Sequence, residues 1–148
     1  MVKRGTPFVS VFEPTTEREG RSVQSIEPFT PAGVSGDFVG LTVRSKSGRT
    51  DYLFSSVNDE RVEYRNMSVR GTYAIVSEQG TDFVLFLGNG KFVNAKGFTI
   101  EASEKTNVVL ECKNGKYFIT CEKPVTVKSP KNKKGVKIDV TDYKQVDL

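Results

Sequence analysis

Histidine is absent from the 148 residues of this chain. The commonest general base near neutral pH and the commonest metal ligand are therefore missing, and with no histidine the plentiful serines have no conventional triad to join. Cysteine is scarce: there are two, with no C-x-x-C spacing between them, so neither a redox pair nor a structural metal site is expected. Long apolar runs are lacking too. The longest, such as "FVLFLG", stop at about six residues, whereas a membrane-spanning helix needs about twenty, so no membrane partner is expected. The start, "MVKRGTPFVSVFEP", reaches Glu13 and Pro14 before an apolar stretch of signal-peptide length can form, and the chain is expected to carry no signal peptide. Helical periodicity is missing as well, because Gly or Pro interrupts every window of eleven or more residues that could hold a 3.6 period.

What is present is strand after strand. "SVQSIEPF", "DFVGLTVRS", "TDYLFSS", "RVEYR", "TYAIVS", "DFVLFL", "GFTIEA", "VVLEC", "KYFITC", "VTVK" and "GVKIDV" are enriched in β-branched and aromatic residues, and all but the nine-residue second run four to eight residues. The turn signals "SKSG", "SEQG", "GNGK", "KNGK" and "SPKNKKG" separate them. The pattern predicts an all-β fold, an antiparallel β-sandwich of about a dozen short strands, in a single domain over 1–148. A chain of this length buries roughly 68–70% of the surface its unfolded form exposes, and ten Phe and five Tyr supply large side chains for that core. "DFVLFL" is apolar on both faces, with Phe83, Leu85 and Leu87 on one and Val84 and Phe86 on the other. It is expected at the centre of the sheet, its second face covered by another layer, a partner domain or the rest of a parent protein.

The segment "VVLECKNGKYFITC" predicts a hairpin turning at Asn114-Gly115. Counting outward from Lys113 and Lys116 places Cys112 opposite Tyr117 and Cys121 opposite Val108, on one face but at opposite ends of the ladder. A disulfide in that register would span about twice the permitted Cα separation, so both thiols are expected to be free and buried among Val108, Leu110, Tyr117 and Ile119.

Candidate chemistry is thin. "GDFVG" and "GNGKF" lead into strands rather than helices, which argues against a phosphate cradle; no cofactor and no metal are expected. Asp59 and Glu60 are adjacent, so in extended chain their carboxylates diverge and suit a solvated loop better than an acid/base pair. Tyr52, Tyr64 and Tyr73 could serve a lyase as acid or base, but each is expected to pack in a sheet. Net charge is +4, and "KPVTVKSPKNKKGVK" carries Lys123, Lys128, Lys131, Lys133, Lys134 and Lys137 with no acid among them. Lys128, Lys131, Lys133 and Lys134 are the candidate polyanion site, for which an acidic polysaccharide is the partner considered; the alternative is a solvated loop whose lysines protect an edge strand. Nucleic acid is not an expected partner, because the loop lacks arginine and stacking aromatics.

"TPFVSVFEP", then "RSVQSIEPF", "FVGLTVRSKSGRTDYLFSS" and "RGTYAIVSEQGTDFVLFLGNGKFV", roughly residues 6 to 100, resemble the C-terminal β-rich part of heparinase II/III-like polysaccharide lyases. The resemblance implies a multidomain bacterial parent, with an α/α toroid, a central β-sandwich and a smaller C-terminal β-sandwich, periplasmic or secreted. Family catalysis is β-elimination at an acidic polysaccharide using Tyr and His, and this chain offers no counterpart for the His. The implied identity is a noncatalytic terminal domain, beginning where its first strand begins with Met1 added ahead of it. Its partners would be the other domains of the parent, which it braces, and it would border the substrate path. A free-standing carbohydrate-binding or adhesion module is the alternative.

Overall fold

The computed structural model describes Ser10, Glu13 and residues 20–148. Apart from those two residues, the opening "FVSVFEP" lies outside the described residues. Glu13 caps the first described strand, its Oε1 accepting from the hydroxyl of Ser22 at 2.6 Å and the backbone N–H of Val23 at 2.9 Å.

Among the described residues eleven strands form one antiparallel hydrogen-bonded system: β1 (Val23–Phe29), β2 (Val39–Ser45), β3 (Thr50–Ser55), β4 (Val62–Tyr64), β5 (Met67–Gln79), β6 (Asp82–Ala95), β7 (Phe98–Lys113), β8 (Lys116–Cys121), β9 (Val125–Lys128), β10 (Val136–Ile138) and β11 (Thr141–Val146). The architecture is sandwich-like and not a closed barrel, with no helix among the described residues. The main sheet runs β1-β2-β3-β5-β6-β7-β8-β11; β4 adds to β5, β9 adds to β7, and β10 adds to β9.

Three strands are much longer than the expected four to eight residues: β5 has 13, β6 has 14 and β7 has 16. "GFTIEA" and "VVLEC" are the two ends of β7, and "GNGK" is not a turn but the middle of β6. Both β6 ladders shift register there, between Arg70 and Gly71 on β5 and between Leu87 and Phe92 toward β7. The physical reason is close approach: a Cβ on Gly90 would sit 2.5 Å from Leu87 Cδ1 and 2.8 Å from Gly71 Cα, so these glycines let backbones touch at a bulge instead of reversing the chain. Asn89 takes the left-handed conformation, φ 47°; its N–H donates to Asn107 Oδ1 at 2.8 Å, and its Nδ2 donates to Thr72 Oγ1 at 2.9 Å.

The bulges divide the long strands into two layers. Inward residues of the main sheet (Tyr52, Phe54, Val76, Leu85, Leu87, Leu110, Ile119) pack in one buried cluster with those of the smaller half (Val62, Val69, Val93, Ile100, Val125, Val127). Aromatic rings join the layers: Phe83 lies 5.2 Å from Phe98, and Phe29 stacks on Tyr64 at 3.8 Å. Each buried Leu, Ile or Val in such a cluster contributes about 1.5–3 kcal/mol. The Asn114-Gly115 hairpin has the expected register, with Cys112 opposite Tyr117 and Cys121 opposite Val108, and both thiols are free and buried.

Candidate functional site

Two outward faces carry the side chains that could act. The first lies on the main sheet. One register row runs Pro28–Leu41–Leu53–Ile75–Phe86–Val109–Thr120, across seven strands. Because sheet side chains alternate with period two, this row belongs to the face opposite the core. Ile26, Val43, Val84 and Phe118 flank it on one side, and Val39 and Tyr73 on the other. Most of these residues are half-buried; Ile26, Pro28 and Tyr73 are exposed. At one end Tyr143 of β11 stacks on Phe118 at 5.0 Å and donates its N–H to Thr120 Oγ1 at 2.9 Å; no described strand covers the rest. Phe86 stands between two hollows, one of about 360 Å³ shared with Ile75 and Val84, the other of about 410 Å³ shared with Tyr73 and Val109. Gly88 keeps the second hollow open, since a Cβ there would come within 3.1 Å of the Phe86 ring.

The second face lies past the bulges, on the smaller layer. Here Arg70 pairs with Phe92 and Phe92 with Glu101 across β5, β6 and β7. With Asp59, Arg61 and Lys91 they line an open groove of about 500 Å³. The Arg61 guanidinium lies 4.2 Å from the Phe92 ring centroid, a cation–π contact, and its Nε donates to Ser68 Oγ at 2.7 Å. Arg70 grips Asp59 with two bonds of 3.1 Å. That pairing holds the Asp59 carboxyl below its usual range, the Arg70 hydrogen bond acting most strongly and Lys105 and Lys91 adding to it.

Among the candidates from sequence, Lys128 ends β9, and its Nζ is bound to Glu101 Oε2 at 2.8 Å. It therefore reaches the rim of the groove. Lys131, Lys133 and Lys134 are exposed on the Ser129–Gly135 loop, which Asn132 organises by accepting from Gly135 N at 3.1 Å and donating its own N–H to Ser129 Oγ at 3.0 Å. The structure does not bring these three to the groove lining. Asp59 and Glu60 diverge as expected: Glu60 turns to the hydroxyls of Ser35, at 2.9 Å, and Ser56, at 3.1 Å. Tyr52 and Tyr64 pack as expected, near the Arg65 guanidinium, whereas Tyr73 stands exposed on the outer apolar face. Sequence reasoning missed Arg61, Arg70, Lys91 and Phe92, because they converge only once "GNGK" is known to be a bulge. The apolar row could have been found by extending to Leu41, Leu53 and Ile75 the two-face count made on "DFVLFL".

Against this geometry, residues 23–112 match the family model of the endo-acting ulvan lyase C-terminal domain. The chain belongs to that family. No match exists among curated proteins or solved structures. An ulvan lyase C-terminal domain is the C-terminal domain of a polysaccharide lyase, which implies further domains in the parent.

Proposed function

We propose that this ulvan lyase C-terminal domain is noncatalytic and braces the catalytic part of its parent through the apolar face of the main sheet. The observation that carries the reading is the row from Leu41 to Val109, centred on Phe86 between its two hollows. Half-buried apolar residues aligned over adjacent strands, with a large aromatic flanked by pockets, have the anatomy of an interface centre. The occupant is the preceding domain of the same protein, since a domain of this family sits C-terminal to the rest of a lyase.

The strand similarity over roughly residues 6 to 100 supports a heparinase II/III-like parent, and a polymeric acidic substrate supports its placement in the periplasm or outside the cell. The domain would then border the substrate path. A free-standing module for anionic polysaccharide is favoured by one observation, the basic groove at Arg61, but leaves the apolar face without a purpose.

The test uses the parent lyase. Phe86→Asp should lower the domain's own stability by about 1–2 kcal/mol, because Phe86 is half-buried and lies outside the core, and beyond that loss it should expose the junction to limited proteolysis and split one unfolding transition into two. A single unchanged transition and unchanged proteolysis would overturn the bracing role. Alone, this chain should release no unsaturated, ultraviolet-absorbing product from an acidic polysaccharide, and such release would overturn the noncatalytic assignment.

A further inference from the structure

The groove on the smaller layer has a feature that core packing does not require. Lys91 is the extra residue of a bulge in the β5 ladder, and in the β7 ladder it stands unpaired opposite residues 102–105. On one side Arg70 pairs with Phe92 and Gly71 with Gly90; on the other Phe92 pairs with Glu101 and Gly90 with Thr106. Lys91 thus has no ladder partner on either neighbour, and a bulge of this kind re-aims a side chain. Its ammonium is brought to a groove that already holds two guanidinium groups, and Lys91 makes no ion pair or hydrogen bond with any described residue.

The groove lining is left with a net positive charge, Arg61, Arg70 and Lys91 against Asp59 and Glu101. Each acid in the lining is engaged: Asp59 by Arg70 at 3.1 Å, and Glu101 by Lys128 at 2.8 Å. Arg61 is clamped between the Phe92 ring and Ser68, with the exposed Glu63 carboxylate 3.6 Å from its Nε; since Nε is the atom engaged, its terminal amino groups are left to an incoming anion. Arg70 uses Nε and Nη2 for Asp59 and keeps Nη1. Positioned guanidinium forks suit the two oxygens of a carboxylate or sulfate ester. The field is felt at the rim as well, where the Glu104 carboxyl is lowered by Lys123 first and also by Lys91.

We propose that the groove formed by Arg61, Arg70, Lys91 and Phe92 is a binding site for an anionic group, a carboxylate or a sulfate ester, carried on a polysaccharide. The anion site follows from these side chains alone and does not depend on the bracing role. Its presentation on a sugar polymer rests on the lyase family, and the open groove admits a chain passing across the sheet.

The experiment is affinity electrophoresis of the 148-residue chain through gels containing dextran sulfate, polygalacturonate or neutral dextran. Retardation by either polyanion and not by neutral dextran is expected; dextran sulfate alone would assign the sulfate ester, polygalacturonate alone the carboxylate. Lys91→Gln should fold as the parent does, having no partner to lose, and should weaken binding about tenfold. The pair Arg61→Gln with Lys91→Gln should abolish it and, in the unpaired arms, reduce the salt dependence by roughly one counterion per charge removed. Substituting Lys131, Lys133 and Lys134 by Ser should leave retardation in place. Absence of retardation by both polyanions, unchanged binding in Lys91→Gln, or loss of binding only in the loop variant would each overturn the site. Equal retardation by double-stranded DNA would overturn the polysaccharide assignment.

Discussion

Gly90→Ala tests the corner on which both faces depend. A Cβ at this position would lie 2.5 Å from Leu87 Cδ1, 2.8 Å from the Arg70 carbonyl oxygen and 2.8 Å from Gly71 Cα. Carbon atoms prefer about 3.5–4.0 Å, so the added methyl intrudes by close to an ångström on three sides. Leu87 is fully buried and has no space to swing into, and the other two obstacles are the backbone of β5. The strands must part. Overpacking of this kind costs about 1–3 kcal/mol, while the reduced freedom of the unfolded chain returns only about 0.4–1 kcal/mol, leaving a net loss of roughly 2 kcal/mol once weakened β5–β6 hydrogen bonds are included. Gly88→Ala is the matched control. Its methyl would meet the Phe86 ring at 3.1 Å and Tyr73 Cβ at 3.4 Å, but that ring borders open hollows and can give way, so the cost should stay below about 1 kcal/mol. In urea denaturation, with a slope of about 2 kcal/mol per molar, Gly90→Ala should lower the midpoint by about 1 M and Gly88→Ala by less than half that. Equal midpoints for the two variants would refute the close approach of β5 and β6 and with it the bulge that aims Lys91.

The remaining predictions concern the thiols and the lysine loop. Burial raises both Cys112 and Cys121 above their ordinary value of 9.0, so alkylation of the folded chain at pH 8 should be slow and mass spectrometry after alkylation in denaturant should find both labelled. Because the unfolded thiols ionise first, this contribution to stability is complete below about pH 9 and is lost as pH rises through the folded values; a midpoint that increases above pH 9 would contradict the burial. Replacing Lys131, Lys133 and Lys134 by Ser should move stability by less than about 0.5 kcal/mol, whereas Lys128→Ser frees Glu101 and should cost up to about 1 kcal/mol, the upper range for an exposed pair; a larger loss from the triple variant would show that the loop does more than cover an edge.

The period-two count recovered the class of fold, the Asn114-Gly115 hairpin and the position of both thiols, because each is local: a pair of turn residues and the alternation beside it determine them. It failed where glycine has two meanings. Gly88 and Gly90 flank an asparagine, the composition of a hairpin tip, yet their lack of side chains serves close packing of β6 on β5. Only the partner strand distinguishes the two uses, and Gly71, the residue met by Gly90, lies nineteen positions earlier in the chain. The groove inherited that ambiguity: with "GNGK" taken as a turn, Lys91 starts a new strand and has no reason to face Arg70. The lysine loop, by contrast, is conspicuous in sequence because Lys131, Lys133 and Lys134 fall within four residues, and closely spaced charges on a loop need no partner to hold them.

The bulge also sets the distance between the two faces. Phe86, at the centre of the apolar row, and Phe92, under Arg61, are six residues apart on one strand, which at about 3.3 Å per residue puts them at most roughly 20 Å apart. Both are fixed to the same hydrogen-bonded ladders on either side of Gly90, so their separation is set by β6 and its neighbours rather than by a flexible linker. The apolar face has to lose its water to dock, and the cationic groove has to keep its water until an anion replaces it. Placed on a single flat sheet these requirements would conflict, since a docked domain would cover both. The two faces lie on the outer sides of different layers, so under the proposed roles a polymer held at Arg61 and Lys91 would remain accessible while Phe86 is covered, and would be carried at a fixed offset from whatever the apolar face grips.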